Sequence, residues 1–106
     1  MLENGSVEAS INRGCYAVFQ IARAALLTKE ESPDTHSGVI RRFGYHFVRT
    51  GQVPDDVGDT LTTAQSMRGR ADYKASADLG REDAANLVED ARQFLEVVGE
   101  RVFSPR

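Results

Sequence analysis

Hydrophobic residues recur along most of this chain at steps of three and four, and four such stretches are separated by short polar breaks. From Ser6 to Thr28, Val7, Ile11, Cys15, Val18, Ala22 and Ala25 follow the helical period, while Phe19, Ile21, Leu26 and Leu27 widen the stripe past a single face. That predicts a long first helix buried on more than one side. The stretch Glu30, Glu31, Ser32, Pro33, Asp34 breaks the period, and Pro33 disfavours helical geometry at Ser32, so a loop is expected. Thr35 suits the N-cap of a second helix with Val39, Ile40, Phe43, Phe47 and Val48 on its apolar face, ending near Gly51. Pro54 followed by Asp55 and Asp56 marks a third helix start, because proline is tolerated in the first turn and acids favour the positive end of the dipole. That helix runs to about Ala71. The last, from about Arg81 to Val102, carries Ala84, Leu87, Val88, Ala91, Phe94, Leu95, Val98 and Val102 on one stripe. The pattern supports no strands, so the expected class is all-α, in one domain covering residues 1–106.

Composition narrows the function more than the fold. At 106 residues the chain is too short for two units that each bury an adequate core, and 41% hydrophobic with 27% charged residues is ordinary for a globular domain. There is no basic stretch followed by an apolar run at the N-terminus and no membrane-length apolar segment, so the chain reads as cytoplasmic with no membrane partner. A net charge of -3 gives no global field for nucleic acid, so any RNA contact must come from local clusters. Eleven of the thirteen basic residues are arginine, which fits either bidentate phosphate recognition or a GC-rich genome. The single Cys15, in an apolar helical stretch, reads as a buried structural thiol. No glycine-rich phosphate loop, zinc spacing, paired acids or nucleophile with a base is present, so no cofactor or metal is expected and a small-molecule hydrolase finds no support.

Three ordered blocks then carry a resemblance. Asn12-Arg13-Gly14-Cys15-Tyr16-Ala17-Val18-Phe19, followed by Ala22-Arg23-Ala24-Ala25-Leu26-Leu27, resembles the Asn-Arg-x-Tyr-Tyr-Ala-x-Phe and Ala-Arg-Ala-Leu-Leu signature of HEPN domains, with Cys15 in place of the first tyrosine. Thr35-His36-Ser37-Gly38-Val39 with Phe43-Gly44-Tyr45-His46-Phe47-Val48 is similar to the family's second block, and Arg68-Gly69-Arg70-Ala71-Asp72-Tyr73 to its Arg-x-x-Ala-Asp-Tyr block. The resemblance covers about Leu2 to Val102. It implies an up-and-down helical bundle, here apparently lacking the additional helix that relatives usually carry before the position where this sequence begins, through either a start further upstream or the loss of that helix. It further implies a homodimer, and a toxin-antitoxin-like pairing with a minimal nucleotidyltransferase. It also implies a metal-independent ribonuclease with an Arg-x4-6-His motif near the end of the third helix.

The residues themselves complete that motif only in part. In such an enzyme a histidine exchanges protons with the 2'-hydroxyl or leaving oxygen, while an arginine steadies charge on the phosphate. Arg68 and Arg70 lie in the expected stretch, but no histidine follows His46. Asp72 and Tyr73 stand there instead, and Arg68 with Asp72 at i and i+4 also suits a helix-end ion pair over Tyr73. Arg41 and His46 match the motif literally, but five residues turn about 140° around an ideal helix and the side chains would diverge. Arg42 and His46, at i and i+4, share a face and could form a site with Arg68 brought from a neighbouring helix or subunit. His36, at a helix start, either caps and packs or joins the backbone N–H groups around Ser37 and Gly38 in holding an anion. Arg41, Arg42 and Arg49 with Tyr45 could stack and bind RNA, or pair across a dimer with Glu82, Asp83, Glu89 and Asp90. The expected sites are thus Arg68 and His46 for catalysis, and Arg42, Arg70, Asp72, Tyr73 and His36 for nucleotide or RNA contact. If Tyr73 is an exposed hydroxyl, it is also a candidate acceptor for nucleotide transfer by the partner. The competing reading is a non-catalytic helical dimerisation or docking module.

Overall fold

A computed structural model describes residues 3–71 and 81–103, with side chains described for 9–67 and 81–103. Four helices form its frame: α1 (Glu3–Leu27), α2 (His36–Phe43), α3 (Asp55–Ala71) and α4 (Arg81–Val98). No strand occurs among the described residues, so the all-α bundle expected from the 3.6-residue period is what the chain forms. The long α1 packs against all three other helices. Its buried positions, Ile11, Cys15, Val18, Phe19, Ala22, Ala25 and Leu26, occupy more than one stripe for that reason. The Cys15 thiol is fully buried and donates to the Ala64 carbonyl of α3 at 3.0 Å, so its role is packing between helices.

Two of the four helices end in an unpredicted way. After α2 the backbone widens into a five-residue π-helical turn, Gly44–Val48, closed by the Arg49 N–H donating to the Gly44 carbonyl at 2.8 Å, an i to i−5 bond. After α4 a second π-helical turn covers Gly99–Phe103. The first turn carries Phe47 into the core, where Phe43 lies 5.0 Å away between ring centroids; Phe43 in turn lies 5.5 Å from Phe94 of α4. These rings are all essentially inaccessible to water. Gly51 then turns the chain in the left-handed region at φ 84°, which glycine adopts without steric cost, and α3 begins after Pro54 with Asp55 and Asp56 in its first turn.

The apolar stripes differ from the sequence pattern at three places. Leu27, Val88 and Leu95 fit the helical period but are exposed. Leu27 ends α1, where the chain turns away from the core, and Val88 and Leu95 lie on the edge of α4 that faces a groove beside α1. Val7 and the Arg68–Tyr73 side chains lie outside the described residues.

Candidate functional site

The loop between α1 and α2 is held by bonds that the sequence pattern does not display. The Glu31 N–H donates to the Leu26 carbonyl at 3.0 Å and the Glu30 N–H to the Leu27 carbonyl at 3.0 Å, with Glu30 at φ 60°. This paired closure is the Schellman ending of a helix, in which the left-handed position is normally glycine. Here a glutamate takes it, at a cost of about 1–2 kcal/mol for the β-carbon's crowding. Downstream, the Arg23 guanidinium donates to the Pro33 carbonyl at 2.7 Å, and the Thr35 hydroxyl accepts from the Gly38 N–H at 2.9 Å, capping α2 as expected. The site of Gly38 is tight, since a β-carbon there would lie 3.0 Å from Pro33 Cβ and 3.1 Å from Thr35 Oγ1.

This framework delivers the Glu31 carboxylate to Arg42 and His46. Arg42 donates from Nε at 2.8 Å and from Nη2 at 2.5 Å, and His46 Nε2 lies 2.6 Å away, all three on the single oxygen Oε2. Hydrogen bonds from Arg42 first, then from His46, hold the Glu31 carboxyl down to about 2 from its ordinary 4.5, and its charge raises the Arg42 guanidinium in return. An ionised carboxylate only accepts, so the proton at this contact resides on His46 Nε2. The three side chains are part-buried, 34% exposed for Arg42, 25% for Glu31 and 19% for His46.

Beside this cluster the Tyr45 ring is 46% exposed, with the Arg42 guanidinium carbon 4.6 Å and that of Arg49 4.2 Å from its centroid. Arg41 is exposed. Of these arginines Arg42 pairs within the chain, with Glu31, while Glu89 of α4 pairs with Arg92 at 2.5 Å. Glu31 itself was not legible as a site residue: it is an acid in a loop. The signal that could have found it is two cations on one helical face, Arg42 and His46, directly after that loop.

His36 sits in the first turn of α2, its ring stacked on Phe19 at 4.3 Å and 25°. The Gly38 N–H beside it is already engaged by Thr35. Arg68 and Arg70 belong to the last turns of α3, and Asp72 and Tyr73 lie outside the described residues. Gly58 places the first turn of α3 against Val48 of the π-helical turn. The helix from there to Arg68 rises about 15 Å. Arg42 stands beside His46 at the Glu31 carboxylate. Among the described residues no group of three or more His, Cys, Asp or Glu could hold a metal, and no helix is long and apolar enough to cross a membrane.

A second feature is a groove of ≈ 450 Å³ between α1 and α4, floored by Gly14, Ala17 and Ala91, with Val88 and Leu95 on one side and Arg13 and Arg92 in its lining.

The fold is an all-helical bundle in which Arg42, near the end of α2, and His46, on the turn that follows, meet at Glu31. The HEPN domain model matches residues 1–102, and the chain belongs to that family. It is similar to two proteins of Methanocaldococcus jannaschii that carry the name "Putative toxin". One is 33% identical over 96 residues, covering 91% of this chain and 71% of the relative; the other is 33% identical over 86 residues, covering 81% and 58%. A UPF0332 protein of Gloeobacter violaceus is 33% identical over 94 residues, 88% of this chain and 75% of that protein. No solved structure matches significantly.

Proposed function

We propose that this HEPN protein is the toxin-type member of a pair whose other member is a nucleotidyltransferase, and that it contacts RNA phosphates through Arg42, His46 and Arg49, with Tyr45 positioning the two arginines. The observation that carries the reading is the convergence of Arg42 and His46 within hydrogen-bond distance of one oxygen atom. This is the donor set that steadies a phosphate oxygen, and Arg49, held over the Tyr45 ring with Arg42, adds a further cation for the RNA backbone. The names of the two archaeal relatives support the toxin half of the reading.

The test is binding of a single-stranded oligouridylate across a salt series, followed by incubation of a mixed RNA pool without metal. Phosphate contacts make affinity fall steeply with salt, and Arg49→Ala should flatten that dependence by about 0.7 in the log–log slope. Cleavage abolished by His46→Ala and retained by Arg68→Ala places catalysis on the turn after α2. Loss in both builds the site from His46 and Arg68 together. No binding at low salt sinks the reading.

A second reading, a dimerisation or docking module acting without RNA, is favoured by the groove between α1 and α4 with its exposed Val88 and Leu95. Here Val88→Asp should convert the homodimer to monomer in sedimentation without moving RNA affinity.

A further inference from the structure

The geometry points to a phosphate-oxygen site formed by Arg42 and His46 that Glu31 occupies in the free protein, so that Glu31 is an internal competitor which RNA must displace. This rests on the RNA-contact reading above and says how the same site is controlled. The first observation is stereochemical. Glu31 Oε2 takes three donors, two from Arg42 and one from His46, at 2.5 to 2.8 Å. A non-bridging phosphate oxygen carries the same charge sense and takes the same forked guanidinium and imidazole donors. Arg42 and His46 therefore present to the carboxylate the donor geometry that an RNA phosphate would use.

The second observation concerns how Glu31 is held. It follows Glu30, the residue in the left-handed region at φ 60°, in a helix ending that glycine would satisfy without strain. The carboxylate is thus presented by a strained loop and is 25% exposed, a position from which it can leave without disturbing the buried rings of Phe43 and Phe47. The third is the surroundings: the Arg49 guanidinium lies over the same Tyr45 ring as that of Arg42, so a second cation stands beside the site for the backbone of the nucleotide whose phosphate replaces Glu31. A purely structural ion pair fixing the loop to α2 accounts for the distances equally well, but it predicts the opposite sign of effect on binding.

The experiment compares wild type with Glu31→Gln, using a single-stranded oligouridylate as the probe and thermal melting to verify the fold. Removing the competing charge should tighten binding several-fold at low salt. Arg42→Ala on the Glu31→Gln background should erase the gain. A second measurement needs no variant: in the full wild-type chain, the Glu31 side-chain carboxyl carbon resonance should move as RNA saturates the site, and a static resonance overturns the competitor. Wild type that binds RNA while Glu31→Gln binds equally or more weakly overturns the competitor alone. Absence of binding by both chains overturns it together with the RNA reading.

Discussion

The two π-helical turns among the described residues are built alike and used differently. Each begins at a glycine that extends a helix, Gly44 after α2 and Gly99 after α4, and each runs for five residues. The first carries Phe47 into the core at 1% exposure and brings His46 to the Glu31 carboxylate. The second leaves Phe103 at 41% exposure, with only Val102 packed against the core. Its Arg101, at the third position as His46 is in the first, exchanges bonds with the loop residue Gln52, which donates to the Arg101 carbonyl at 2.6 Å. A π-helical turn shifts the register of everything after it by one residue relative to an α-helix. In the first turn that shift is fixed by a buried ring on one side and an ion cluster on the other. In the second it is fixed by surface bonds, so the same local geometry carries very different weight.

The largest expected consequence separates the two aromatic residues. Phe47→Ala removes a ring buried against Phe43 and should destabilise by about 3–5 kcal/mol, whereas Phe103→Ala should stay within about 0.5 kcal/mol. Urea unfolding of both variants measures it; comparable losses would mean that both turns anchor the core.

Next in size is the approach of α3 to the first turn. A β-carbon on Gly58 would lie 2.6 Å from Val48 Cγ2, and Val48 is β-branched and stiff, so Gly58→Ala should cost about 1–3 kcal/mol. Nothing lies within 4 Å of such an atom on Gly44 or Gly99, and Gly44 is helical at φ -59° and ψ -42°. Gly44→Ala and Gly99→Ala should therefore each stabilise by about 0.5–1 kcal/mol, through the backbone entropy that glycine loses on folding. Opposite signs for Gly58 and the two turn glycines in one set of unfolding curves would establish that only the first turn is closely overpacked by a neighbour.

Why one turn matters and the other does not was only partly written in the sequence. The four helices follow from apolar spacing, the Thr35 cap and the Pro54-Asp55-Asp56 start, all local signals that tertiary packing left in place. The π-helical turns did not show, because one extra residue per turn at the end of a helix is indistinguishable from a continued 3.6-residue period over so short a stretch. Val88 and Leu95 fit the α4 stripe but face the groove, since periodicity names a face without saying what covers it. The shared face of Arg42 and His46 was readable from their spacing; their partner was not. Glu31 is placed by a helix ending whose glycine signal is missing, with Glu30 standing where glycine marks such endings.

The smallest effect is the most specific to the first turn, and it is read against pH. Arg42 and His46 depress the Glu31 carboxyl from 4.5 to about 2 in the folded chain. A carboxyl whose folded pKa is lowered stabilises the fold above its unfolded value, and that contribution is lost as pH falls through the folded one. Wild type should therefore melt above Glu31→Gln at neutral pH, with the gap closing between about pH 4.5 and 2. Solvent screens a group this exposed, so the gap is small and should shrink further in high salt. The second turn has Arg101 where the first has His46, bonded to a neutral glutamine, so Arg101→Gln should show no gap that closes in this window. Melting curves for the three proteins across that range decide whether the ion cluster, rather than the turn geometry common to both, is what sets the first turn apart.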